Sequence, residues 1–206
     1  MSTDKPAFQL TRRPFLASGL AALLGPSLAA CETPPARRQF PEITFTHLPV
    51  INLDVARIDI VSKYQSAQQP GDIAAQFPEA PEKTLANWSR DRLRAAGTMG
   101  EAVFTILSAR ATQTALARSA GLSAALNKDQ SDRYDLELAV WLTAENPYLG
   151  RSGEVTARTT RSQTVAEDMT LNEREGILFD MLDQAMRDIN QRLETAIPQY
   201  LEAFIR

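Results

Sequence analysis

The sequence predicts an α+β domain: a two-layer sandwich in which an antiparallel sheet packs against a short helix and a long C-terminal helix. Three stretches carry that expectation. Across 134–145, Tyr134, Leu136, Leu138, Val140 and Leu142 alternate with Asp135, Glu137, Trp141, Thr143 and Glu145. That is the two-residue period of a strand with one buried and one solvated face. Residues 154–165 follow a turn cluster and are rich in threonine, which suits the return strand of a hairpin. Leu171, Leu178, Met181, Leu182, Ala185, Met186, Ile189, Leu193 and Ile197 then keep helical spacing.

The elements follow in chain order. Residues 43–63 read as strand, with Ile51, Leu53 and Val55 on one parity and Ile58 and Ile60 on the other. The parity switch near Ala56 and Arg57 predicts a bulge or a break into two strands, and Pro49 marks a further irregularity. The Gln-, Ala- and Pro-rich stretch 65–76 reads as a loop. Pro81 and Glu82 open a helix running to about Ala96 and closed by Gly97, with Leu85, Trp88, Arg92 and Ala95 on one stripe. A strand over 103–116 has looser alternation through Val103, Leu107, Ala109 and Ala111. The run from Asn146 to Gly153 is the hairpin turn. Thr170 and Glu173 form a capping box ahead of the long helix, which Pro198 should kink or end.

The N-terminal segment has a different character. Lys5, Arg12 and Arg13 precede an apolar stretch from Leu16 to Leu28. At 13 residues it fits the apolar region of an export signal. A membrane-spanning helix needs about 20 apolar residues, and Gly19, Gly25 and Pro26 weaken a helical span further. The run Thr11-Arg12-Arg13-Pro14-Phe15-Leu16 resembles the twin-arginine signal, with Ala17 where lysine is usual. That resemblance implies export of a folded chain. Leu28-Ala29-Ala30-Cys31 resembles the bacterial lipobox. In that family the cysteine receives a diacylglyceryl group and becomes the first residue after cleavage. The expected organisation is therefore an export signal over 1–30, a lipidated Cys31 with a Pro-containing tether to residue 42, and one domain over 43–206.

Composition narrows the function. Of 22 basic and 25 acidic residues, removal of 1–30 takes Lys5, Arg12, Arg13 and Asp4. The remaining 19 basic and 24 acidic residues give a net charge of −5, opposite to the basic balance of a general nucleic-acid binder. Cys31 is the only cysteine, so no disulfide forms within the chain. His47 is the only histidine and lies in the first strand region, where a structural role is expected. One His and no second Cys exclude a nitrogen-and-sulfur zinc site, and no Gly-x-Ser-x-Gly elbow accompanies His47. Asn127, Asp129 and Ser131 have calcium-loop spacing, but Asp132 and Leu138 stand where that loop needs Gly and Glu. Glu167, Asp168, Glu173 and Glu175 sit where a helix dipole favours acids. No phosphate-cradling Gly-rich loop occurs. No cofactor or metal is expected.

Contact features remain. Trp141 lies on the polar parity of its strand, and Tyr148 and Leu149 lie in the hairpin turn; these three are the expected partner contacts. Arg151, Arg158 and Arg161 line the return strand as a solvated face able to meet anionic groups. The order of the lipobox, the 136–142 strand, the hairpin and the 170–197 helix resembles the auxiliary lipoproteins of lipid-trafficking transporters and the lipopolysaccharide-assembly lipoprotein. That resemblance implies a non-catalytic protein anchored in the membrane, facing the periplasm and supporting an envelope complex. The alternatives are an envelope hydrolase using Glu167 or Glu173, discriminated by two carboxylates about 5–10 Å apart, or a ligand-binding protein with an apolar pocket between helix and sheet.

Overall fold

The computed structural model describes residues 39–65, 70–116, 130–166 and 168–206. The expected export segment over 1–30, the lipobox-like run with Cys31, and Glu167 lie outside the described residues, as do Asn127 and Asp129. Residues Arg37–Arg206 form one compact unit. Its strands and helices are β1 (Ile51–Leu53), β2 (Arg57–Ser62), α1 (Pro81–Arg92), β3 (Leu93–Ala95), β4 (Glu101–Ala115), β5 (Gln130–Asn146), β6 (Arg151–Ala166) and α2 (Leu171–Tyr200).

The architecture is α+β, with one refinement. The main sheet has the order β2-β4-β5-β6. Its β4-β5 and β5-β6 pairs are antiparallel, but β2 joins β4 in parallel, so the sheet is mixed. A parallel neighbour requires a long crossover, and the chain from Lys63 to Gly100, containing α1, supplies it. The short strands β1 and β3 form a second, parallel pair.

The predicted break in the first strand region is real. β1 ends at Leu53, β2 starts at Arg57, and the two belong to different sheets. Strand does not reach back to Ile43, although Ile43 and Phe45 are buried. His47 sits in an exposed turn closed by the Leu48 N–H on the Phe45 carbonyl, not in a strand. The helix α1 ends four residues earlier than its periodicity suggests. Leu93 leaves it to pair with Ile51, so edge pairing with β1 wins over helical propensity. Its stripe is as expected through Leu85, Trp88 and Arg92, all buried.

The loose alternation of β4 has a physical cause. Ala102, Phe104 and Ile106 face the helices, and a register shift between Ile106 and Ser108 then inverts the parity. Ala109 and Ala111 are buried after it, and Leu107 is left 38% exposed. The bulge flips every later side chain to the opposite face. In β5 the residues Tyr134 to Leu142 are buried on the expected parity. Thr170 caps α2 as the capping box requires: its hydroxyl accepts from the Glu173 N–H, and the Glu173 carboxylate accepts from the Thr170 N–H at 2.8 Å. Pro198 sits inside the last turn, and the helix ends two residues on. Leu171 is exposed and does not belong to the buried stripe.

The core lies between the sheet and the two helices. Trp88 and Arg92 of α1 are wedged against α2. The Trp88 indole donates to Asn190 Oδ1 at 2.9 Å and stacks on Phe104 with ring centroids 5.6 Å apart. The Arg92 guanidinium, with a side chain only 2% exposed, pairs with Glu194 and donates to the Pro49 carbonyl. A buried cation deprived of its partner is expensive. Glu194→Gln is therefore expected to cost about 2 kcal/mol, the range of a hydrogen bond to a charged group, measured by urea denaturation.

Gly100 closes the crossover with φ +81°, and a Cβ there would lie 2.5 Å from the Glu145 carbonyl oxygen. The left-handed backbone costs an L residue about 1–2 kcal/mol, and the overlap with a sheet carbonyl adds about 1–3 more. Gly100→Ala is expected to lower stability by about 3 kcal/mol in the same measurement.

Candidate interaction surface

Among the described residues, the helices cover one face of the main sheet; on the other, Thr105, Ser108 and Ala139 are buried and the rest is open or half-open. The odd residues of β5 and the even residues of β6 lie on this open face, where Trp141 stands between Thr105 and Thr156. Trp141 is half-buried. Its indole N–H donates to Glu154 Oε2 at 3.1 Å, and the Lys63 ammonium lies 5.4 Å from the ring centroid. Part of the cover over this ring is thus supplied by Lys63, at the end of β2. Around it the charges are paired: Arg158 with Glu137 at 3.4 Å, Arg133 with Asp135 at 2.9 Å, and Arg57 with Glu101.

The hairpin turn is different. Residues 147–150 project beyond the sheet, with Gly150 at φ +62° and the Asn146 carbonyl accepting from the Leu149 N–H at 3.2 Å. Asn146 is buried and its side-chain oxygen also accepts from Leu149 N–H at 3.2 Å, so the turn is fixed from inside. Tyr148 is 82% exposed and Leu149 50%. Two further exposed apolar residues gather at this end. Gly100 approaches within contact of Asn146, which places Met99 beside the hairpin base. Gly153 approaches the Tyr200 carbonyl so closely that a Cβ would lie 2.8 Å from it, which places exposed Tyr200 on the other side. The exposure of Tyr148 and Leu149 is as the turn in the sequence suggests, whereas the position of Met99 and Tyr200 near the hairpin base is not legible there, because it depends on two glycine contacts far apart in the chain.

The arginines of β6 divide. Arg158 is on the open face. Arg161 points to the helix side and binds Asp188 of α2 at 2.6 Å, where the Thr159 hydroxyl donates to the same carboxylate at 3.0 Å. Arg151 donates to the Ala203 carbonyl at 3.3 Å. Between the β6 edge and α2 lies a groove of about 550 Å³.

The acids considered for hydrolysis are otherwise engaged where they are described. Glu173 serves the capping box, and its carboxylate also accepts from the Thr170 hydroxyl at 2.7 Å. Among the described residues no group of three His, Cys, Asp or Glu side chains could hold a metal ion, and no helix is long and apolar enough to cross a membrane. Burial raises the Tyr134 phenol, with Asp132 adding to the rise and Arg174 opposing it. Glu42, placed in the tether by the sequence, is held below its ordinary value by hydrogen bonds from Lys83 and Asn87 of α1. Phe40 rests on Phe179 of α2 with ring centroids 5.0 Å apart.

No protein-family model matches the chain, and no curated protein matches it. Among solved structures, the chain is similar to a minor lipoprotein from Acinetobacter baumannii, with a TM-score of 0.35 and 13% identity over 68% of this chain and 94% of that one. It is also similar to the PelC dodecamer from Paraburkholderia phytofirmans, with a TM-score of 0.25 and 11% identity over 74% of this chain and 96% of that one. Likenesses this distant say nothing about function.

Proposed function

We propose that the chain is a non-catalytic, lipid-anchored protein of the cell envelope. It faces the periplasm and serves as an accessory or assembly subunit of a larger complex, one that handles lipid. Two features support this reading. The lipobox-like run ending at Cys31 supplies the anchor. The hairpin turn that exposes Tyr148 and Leu149, with exposed Met99 and Tyr200 near its base, supplies a contact surface, and it is the exposed pair Tyr148 and Leu149 that carries the reading. A tyrosine exposed to this degree on a turn fixed from within gives little to the fold, whereas aromatic anchors on rigid supports dominate protein interfaces. The test is a pull-down from membranes with the full chain, wild type against Tyr148→Ala/Leu149→Ala. A protein recovered with wild type and depleted at least tenfold by the double variant is expected. Recovery of no protein, or recovery unchanged by the double variant, overturns the contact. Both side chains are exposed, so the variant's melting temperature should match wild type and serves as the folding control.

A further inference from the structure

The two edges of the main sheet are unlike. β2 is six residues long and continues into Lys63. A short edge with a charge beside it resists pairing with another chain. β6 is 16 residues long, contains no proline and keeps an unbroken register with β5 from Arg151 to Val165. Among the described residues, none of its backbone groups bonds to anything beyond β5 except the Thr164 carbonyl, which accepts from the Gln163 side chain. Every second residue therefore offers a free N–H and C=O, with the groove beside α2 running along the same edge.

We infer that β6 pairs antiparallel with β6 of a second copy of this chain, about a two-fold axis at Thr156, joining two four-stranded sheets into one of eight strands. A two-fold perpendicular to the sheet keeps each face on its own side, so only residues of equal parity can oppose each other. An axis at Thr156 sets Glu154 and Arg158, the two charges nearest the middle of the edge, directly opposite each other, and that complementarity favours this register. An axis at Glu154 or at Arg158 sets like charges opposite each other. The Thr156 axis makes the Glu154–Arg158 pairing twice by symmetry, with Val155 opposite Ala157 on the buried side. Arg151 and Arg161 also oppose each other there, but Arg161 is neutralised by Asp188 at 2.6 Å. Arg158 is held more loosely, by an exposed pair with Glu137 at 3.4 Å, which it exchanges for the opposed Glu154 of the second copy. Opposed charges favour a cross-strand pair and like charges disfavour it. Main-chain bonds along the edge supply the affinity, as in other strand additions.

The test uses the full chain with Cys31→Ser and Thr156→Cys, so that position 156 carries the only thiol. On mild oxidation, or with a short bismaleimide, the two introduced thiols are expected to link, since directly opposed Cβ atoms lie about 4.5–5.5 Å apart. A Thr160→Cys control in the same Cys31→Ser background should not link, because its two copies would be separated by eight strand residues, roughly 27 Å. In sedimentation of the Cys31→Ser chain, a dimer is expected, weakened about tenfold by Glu154→Arg or by Arg158→Glu and restored when both are combined. A monomer at all concentrations overturns the inference. So does a dimer indifferent to these charges, or an introduced thiol that maleimide cannot reach because another part of the chain covers the edge.

Discussion

Trp88→Ala is expected to destabilise the domain by about 4 kcal/mol, near the top of the range for deleting a buried aromatic. Three losses combine at this position. The side chain is fully buried and joins α1 to β4 through Phe104 and to α2 through Asn190. Its removal leaves a cavity at the point where both helices and the sheet meet, and little can collapse into it because Phe104 is held in the sheet. The Asn190 carbonyl oxygen also loses its donor. Trp88→Phe separates these terms in part: a six-membered ring stays and keeps most of the packing, while the N–H and about three heavy atoms are lost, for about 2–3 kcal/mol. Chemical denaturation of the three proteins checks the difference. A cost for Trp88→Ala no greater than for Trp88→Phe would show that packing of the remaining ring contributes nothing.

How much of this was legible in the sequence depends on whether the information was local. The long helix was legible because capping box, periodicity and terminal proline agree within one segment. β5 was legible because its alternation is unbroken over more than ten residues. β4 was half legible. Its period is inverted by a bulge at Leu107, and a single chain gives no sign of where a partner strand forces an extra residue. The end of α1 was misjudged for a related reason. Ala95 keeps helical spacing, yet β1 lies alongside and Leu93, which is buried, pairs with Ile51 instead. The parallel pairing of β2 with β4 is also non-local, since it depends on the crossover that α1 makes.

The surface shows the same division. Tyr148 and Leu149 were identifiable because a turn cluster between two strands exposes whatever it carries. The surroundings of Trp141 were not, because Lys63 and Glu154 reach it from other strands. The free edge of β6 was beyond sequence reading altogether. A threonine-rich strand looks the same at an edge as in the middle of a sheet, and only the strand order distinguishes the two.

With residues 1–30 replaced by a secretory signal that is cut independently of the cysteine, Cys31→Ser is expected to move the protein from the membrane fraction to the soluble one. The magnitude follows from the anchor alone. Burial of each methylene contributes about 0.8 kcal/mol, one chain gives only marginal binding near 10⁴ M⁻¹, and two chains hold stably. Loss of a diacylglyceryl group removes both chains at once, and the apolar end at Tyr148 and Leu149 is too small to compensate. Extraction separates the two attachments. A protein held only by acyl chains stays in membranes washed with high salt or carbonate, whereas one held by a partner is released. Wild type should resist the wash, and Cys31→Ser should be soluble before it. Mass spectrometry of wild type should show cleavage before Cys31 together with the added acyl mass. If that Cys31→Ser chain, once cut free of its signal, sediments with membranes as wild type does, or if wild type retains residues 1–30 and an unmodified thiol, lipid anchoring is wrong. In that case the exposed hairpin end would have to account for any membrane association. Replacing Arg12 and Arg13 by Lys tests the route independently, since general secretion tolerates that change and twin-arginine export does not.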